Sequence, residues 1–234
     1  MPRRLSLSAF KAVLFDIDGT LVDSLGMLIR GLGDVFEEHT GTRPEEAKIR
    51  SVMGMPLRRQ FELFLPGLVT DANFEDMQRK ALERYRAHQS LELIIPEAVE
   101  ALVASSRAGL RTALVTSKTD LELLSFIERH PWTSCADTVV CASDVTHPKP
   151  HPESALVALA RLGVEPAEAV FIGDSMFDVE CGRSAGLATI AVSFGACEGA
   201  ALASAGPDML IATPAELLGW ALESLSQPTC QEKN

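Results

Sequence analysis

Residues 15–20 read FDIDGT. They follow a mostly apolar KAVL (11–14) and precede LVDS (21–24). A strand with the look of a buried one therefore ends in two carboxylates, Asp16 and Asp18, and then in Gly19. Carboxylates repel one another, and burying either is costly without a partner. The rest of the chain has to supply that partner, or a purpose.

Working outward, short runs rich in Val, Ile and Leu alternate with helix-like segments. The strands expected are 11–17, 111–117, 137–143, 169–174, 188–193 and a weak one at 208–212. Between them lie helical patterns at 96–109, 119–130, 152–163, 178–186 and 214–225. Pro96 and Pro152 stand at helix starts, and Gly109, Gly163 and Gly186 at helix ends. This alternation predicts an α/β fold, a Rossmann-like three-layer core with a mainly parallel sheet covered on both faces. Ligands of such sheets sit at the carboxyl ends of the strands. Residues 24–91 break the pattern. They read as amphipathic helices without a strong strand, and are too long for one crossover. The expected division is a catalytic core of 1–23 and 92–234, with a small all-α cap, 24–91, inserted after the first strand.

With 234 residues, 47% of them hydrophobic, the chain can bury a sizeable core. Its net charge of −11 argues against broad binding to nucleic acid or to an anionic membrane, but not against a local phosphate site. The five cysteines (135, 141, 181, 197 and 230) are scattered and lack CxxC spacing. That disfavours a disulfide framework or zinc site and suits a reducing, cytoplasmic setting. The arginines near the N-terminus are followed by too short an apolar run for an export signal, and that end reads as partly frayed. No apolar run has the length of a membrane span. The last stretch, SQPTCQEKN, reads as a loose polar tail.

Four groups fall at the predicted strand ends: Asp16 and Asp18; Thr116 and Ser117; Lys149 in THPKPHPE; and Asp174 and Asp178 in FIGDSMFD. Each has an ordinary explanation. An Asp at a strand end is usually a turn former or cap, Thr and Ser are common N-caps, and a surface Lys is usually solvated. Asp174 and Asp178 could simply favour a helix N-terminus. Their joint occurrence at one sheet edge changes the odds. A phosphate monoester repels an attacking carboxylate unless a cation lies between them, and hard oxygen ligands suit Mg²⁺. Asp16, Asp174 and the main-chain carbonyl of Asp18 could hold the ion. Asp16 would attack phosphorus. Asp18 would protonate the leaving oxygen and later activate water. Thr116, Ser117 and backbone N–H groups would bind phosphoryl oxygens, and Lys149 would offset charge. Gly19 would allow the turn and leave space for the ligand.

Taken together, DIDGTLVDS, VTSK, HPKPHPES and FIGDSMFDVECGRSAG resemble the four motifs of the haloacid dehalogenase superfamily, over nearly the whole chain. Within it the chain is similar to the phosphoglycolate phosphatase and β-phosphoglucomutase-like group with a helical cap. The resemblance implies a Rossmann-like core, Mg²⁺ dependence and an aspartyl-phosphate intermediate. It implies Asp16 as nucleophile, Asp18 as acid/base, Thr116 and Lys149 as phosphate-binding, and Asp16, Asp18 and Asp174 as metal-binding. Asp178 matches a supporting acidic position. Ser117 stands where many relatives have Asn.

Asp18 also sorts the subgroups. Dehalogenases of the superfamily lack that second Asp, since halide leaves without a proton. Phosphonoacetaldehyde hydrolases have Ala there and a cap lysine that forms a Schiff base, whereas this cap reads VMGMPLRRQF (52–61). Sugar-phosphate mutases usually carry a His soon after DS, and here the first His is His39. The expectation is therefore a phosphatase for a small phosphorylated metabolite. Its rivals are a pyrophosphatase or sugar-phosphate mutase, and a catalytically silent interaction module. Arg58 and Arg59, or Arg30, are candidates to bind a second anionic group of the substrate. His147 and His151 read as exposed loop residues, Trp132 as packing a helix end, and Cys141, Cys181 and Cys197 as core or helix-face residues. A monomer and a homodimer are both open.

Overall fold

A computed structural model describes residues 5–223. The SQPTCQEKN tail, Cys230 and residues 1–4 lie outside the described residues.

The strands are β1 (Ala12–Phe15), β2 (Val22–Asp23), β3 (Leu93–Ile94), β4 (Arg111–Val115), β5 (Thr138–Val140), β6 (Ala169–Gly173), β7 (Ala188–Val192) and β8 (Met209–Ile211). Six of them form one sheet in the order β5-β4-β1-β6-β7-β8. Every neighbouring pair in that sheet is parallel. All four β1 residues are buried, because helices cover both faces of the sheet.

The helices are α1 (Leu25–Thr40), α2 (Glu46–Arg50), α3 (Leu57–Phe64), α4 (Asp71–Ala87), α5 (Pro96–Arg107), α6 (Asp120–Arg129), α7 (Glu153–Leu162), α8 (Met176–Ser184), α9 (Gly199–Ala205) and α10 (Pro214–Leu222). The period-two alternation of β1 sorts the core into layers. Val13 and Phe15 join a cluster with Ala101 and Leu102 of α5 and Leu217 and Trp220 of α10. Ala12 and Leu14 join another with Ala155, Ala158 and Leu159 of α7 and Cys181 of α8. This is the expected three-layer α/β arrangement.

Helices α1 to α4 enclose a separate cluster that includes Leu32, Phe36, Phe61 and Tyr85. Chain entry and exit of this helical insertion meet in a two-stranded antiparallel ribbon, with Val22 opposite Ile94 and Asp23 opposite Leu93. The ribbon is too short to show an alternating pattern in the sequence. Helix α9 (GAALASA) also escapes the pattern, for want of bulky apolar residues. Helix α8 begins two residues before the expected 178, because Ser175 is its N-cap. Most of the sheet strands stop one or two residues before the expected ends, which frees Asp16, Thr116 and Asp174 for the turns at the sheet edge. Among the described residues, no helix is long and apolar enough to cross a membrane.

Candidate active site

Asp16 follows β1 directly, Thr116 follows β4, Asp174 follows β6, and Lys149 lies in the loop after β5. These strands are neighbours in the order β5-β4-β1-β6, so their turns share one sheet edge. Lys149 is 3% exposed, and its Nζ donates to Asp16 Oδ1 at 2.6 Å, to Asp178 Oδ1 at 2.6 Å and to the Val115 carbonyl at 3.1 Å. Burial opposes its charge, but Asp16 and Asp178 outweigh burial and raise its pKa. Burial pushes Asp16 up to about 7; Lys149 pulls it back down, while Asp178 and Asp18 push it further up.

Asp178 is held from both sides. Its Oδ2 accepts the Ser175 N–H at 3.0 Å and the Ser175 hydroxyl at 2.5 Å, in a capping box at the start of α8. Asp174 Oδ2 accepts the Ala196 N–H at 2.5 Å. Burial, then Asp16 and Asp178, raises Asp174 well above the usual carboxylate range.

Carboxylate oxygens of Asp16, Asp174 and Asp178 lie within 4.8 Å of one another. A divalent cation fits this all-oxygen donor set and would relieve its mutual repulsion. Asp178 already spends its oxygens on Lys149 and Ser175, which leaves Asp16 and Asp174 as the freer ligands. Two glycines keep Asp174 in place. A Cβ on Gly19, at φ 76°, would stand 2.0 Å from Asp174 Oδ2, and one on Gly195 would stand 2.3 Å away. Gly19 thus has the tight turn expected of it, and Gly195 is a requirement that the sequence reading missed.

The Asp18 side chain turns away from this cluster. Its Oδ1 accepts the Ser24 hydroxyl at 2.5 Å and Lys118 Nζ at 2.9 Å, and its Oδ2 lies 2.8 Å from the same Nζ. Lys118 is 7% exposed; burial lowers its pKa, but Asp18 and Glu122 raise it more. Neither Lys118 nor Ser24 was assigned a role from the sequence. Their signal was adjacency, since Lys118 follows Thr116 and Ser117, and Ser24 closes LVDS. Thr116 Oγ1 accepts the Lys118 N–H at 3.1 Å. Ser117 reaches across to the insertion and donates to the Gly54 carbonyl at 2.8 Å.

Between the strand tips and the insertion lies a cavity bordered by Asp16, Asp18, Ser117 and Lys118 on the core side. The structure does not bring Arg58 or Arg59 to it. Arg58 pairs with Glu62 at 3.3 Å and Asp71 at 2.6 Å, and Arg59 pairs with Glu62 at 3.1 Å. The cause is helical phase. Leu57, Gln60 and Phe61 are the buried face of α3, which turns 58 and 59 outward. Arg30 is likewise exposed on α1. His147 and His151 are exposed, as expected, Trp132 packs edge-on against Phe126, and four cysteines are free.

The family profile described as haloacid dehalogenase-like hydrolase matches residues 13–192. An N-acetylmuramic acid 6-phosphate phosphatase from Pseudomonas aeruginosa is 32% identical over 79% of this chain and 82% of its own. The pyrophosphatase PpaX from Bacillus velezensis is 28% identical over 88% of this chain and 94% of its own. A crystal structure from Bacteroides fragilis, assigned as a haloacid dehalogenase-like hydrolase, superposes with a TM-score of 0.79 at 27% identity, over 89% of this chain and 99% of that one. The buried carboxylates around Lys149 thus sit on a known scaffold, and the chain belongs to the haloacid dehalogenase-like hydrolases, as an enzyme of the phosphatase kind.

Proposed function

We propose that the protein is a Mg²⁺-dependent phosphatase that hydrolyses a small phosphorylated metabolite through an aspartyl-phosphate on Asp16. The observation that carries this reading is Lys149, buried and bridging Asp16 and Asp178, beside a second independent carboxylate, Asp18. A binding module needs no such pairing of a positioned carboxylate with a separate acid.

The roles follow from the contacts. Lys149 orients the Asp16 carboxylate and offsets charge as the phosphoryl group arrives. An Asp16 oxygen bonds to phosphorus while the ester P–O bond breaks, and Asp18 gives a proton to the leaving oxygen. Asp18 then takes a proton from water, whose oxygen attacks phosphorus and frees Asp16 and orthophosphate. Lys118 and Ser24 position Asp18 for both transfers. Thr116 accepts a backbone N–H, which leaves its hydroxyl hydrogen for a phosphoryl oxygen. Mg²⁺, held by Asp16, Asp174 and the Asp18 carbonyl, would supply positive charge that cancels the repulsion between carboxylate and phosphate. On this reading the insertion, 24–91, is a cap on a core of 1–23 and 92–234, and the setting is cytoplasmic. Hydrolysis is favoured over a mutase because Leu28 and Leu32 of α1 face the cavity, and no histidine lines it among the described residues.

The test is turnover of p-nitrophenyl phosphate with and without Mg²⁺, by the wild type and by Asp16→Asn. Mg²⁺-dependent turnover is expected, with kcat in Asp16→Asn lower by on the order of 10⁴-fold. Wild-type turnover in that variant would exclude Asp16 as the nucleophile.

A further inference from the structure

The cavity above Asp18 encloses about 50 Å³, and its lining bears on what can bind there. Four apolar side chains of the insertion, Leu28, Leu32, Met53 and Leu57, wall part of it. Gln60, from the inward face of α3, also lines it and is 7% exposed. Its Nε2 donates to the Met55 carbonyl at 2.8 Å. That bond fixes the amide, because the flipped orientation would set oxygen against oxygen. Gln60 Oε1 is then a buried acceptor with no hydrogen-bond partner among the described residues. Buried acceptors are rarely left unmet, so Oε1 calls for a donor, from an ordered water or from a ligand in the cavity that Gln60 borders.

The charges lining the cavity narrow the ligand further. Lys118 is the only lysine or arginine among its described lining residues, and Asp18 already engages it through both carboxylate oxygens. Glu122 lines the same space, with Oε2 accepting the N–H and hydroxyl of Thr119. A second carboxylate or phosphate on the substrate would meet Glu122 and Asp18 without a free cation to balance it. The arginines that could have supplied one do not border this cavity: Arg58 pairs with Glu62 on α3 and Asp71 on α4, and Arg59 with Glu62.

We propose that the leaving group carries no negative charge and bears a donor: a small alcohol whose further hydroxyl or N–H donates to Gln60 Oε1, with its carbon skeleton against Leu28, Leu32, Met53 and Leu57. This rests on the phosphatase reading above. It separates the chain from enzymes built for doubly anionic substrates such as 2-phosphoglycolate or pyrophosphate. Gln60 is then a specificity-determining residue, and its neighbours Arg58 and Arg59 are not.

Matched substrate pairs test this with the Mg²⁺-loaded wild type. One pair is 2-hydroxyethyl phosphate against 2-phosphoglycolate, and another is glucose 6-phosphate against 6-phosphogluconate. The uncharged member of each pair is expected to have kcat/KM at least about tenfold higher, the scale of one unmet buried polar group. In Gln60→Leu and Gln60→Met, the preference for 2-hydroxyethyl phosphate over ethyl phosphate should collapse toward one. Equal or higher kcat/KM on the anionic members would overturn the proposal, as would an unchanged hydroxyl preference in folded Gln60 variants. No turnover of any of these, or of p-nitrophenyl phosphate, would overturn the phosphatase reading itself and this inference with it.

Discussion

The two halves of the site are built differently. On the phosphate side, Asp16, Lys149, Asp174 and Asp178 form a closed set in which each charged group has a partner on a neighbouring strand end or a helix cap. On the leaving-group side, Asp18, Lys118, Gln60 and Glu122 come from four separate places, and Gln60 keeps a vacant acceptor. The contrast separates two tasks. Binding a phosphoryl group is the same problem for every phosphate ester and rewards a rigid answer. Binding the rest of the substrate differs from one enzyme to the next and is left to single side chains.

Substitutions can break that comparison. The largest expected effect is on proton transfer. Asp18→Asn should lower kcat by about 10²–10⁴-fold, measured on an alkyl phosphate, whose poor leaving group needs the proton. A loss under tenfold would deny Asp18 its role. Next is Lys149→Met, which leaves Asp16 and Asp178 buried without their shared cation. Unfolding in urea should show a loss of about 3–5 kcal/mol, as for a broken buried ion pair. A loss below about 1 kcal/mol would mean that the phosphate side is not a closed set.

Proton linkage sharpens the comparison with a smaller effect. Burial pushes Asp16 up to about 7, against the pull of Lys149, so below that pH it carries a proton that a cation must displace. Mg²⁺ binding should release protons near neutrality and weaken as pH falls below about 7. Calorimetric titration in buffers of different ionisation enthalpy measures the release. Absence of proton release would place the ion away from Asp16. The smallest effect is expected at Arg59, 63% exposed and paired with Glu62. Arg59→Ala should change stability by less than about 1 kcal/mol and kcat/KM by no more than about twofold. A larger loss of kcat/KM would return the arginines to substrate binding.

The same division explains what the sequence made legible. The phosphate side is written in short motifs, because a strand end, a turn and a helix cap fix each side chain within a few residues. FDIDGT and FIGDSMFD could therefore be read as they stand. The parallel sheet was legible too, since strands buried on both faces leave unbroken apolar runs. Lys118 and Gln60 carry no such local mark. Lys118 matters only because β4 runs beside β1, and that adjacency is a property of the sheet order. Gln60 differs from Arg59 by one step of helical rotation, and a single apolar count on the short α3 favours neither strongly. Which side of that helix faces the cavity was not visible from residue types alone.

The ribbon of Val22–Asp23 with Leu93–Ile94 sets the point of departure of the insertion beside its point of return. An exchange of residues 25–91 would leave strand order and sheet register alone, and keeping Ser24 and Glu92 would keep the contacts they make with Asp18 and with Arg129 and His130. The boundary is thus a natural graft junction. A helical insertion from another member of the family, spliced at these paired residues, would bring its own selectivity to an unchanged phosphate site, so the two chemistries of this enzyme can be inherited and engineered separately.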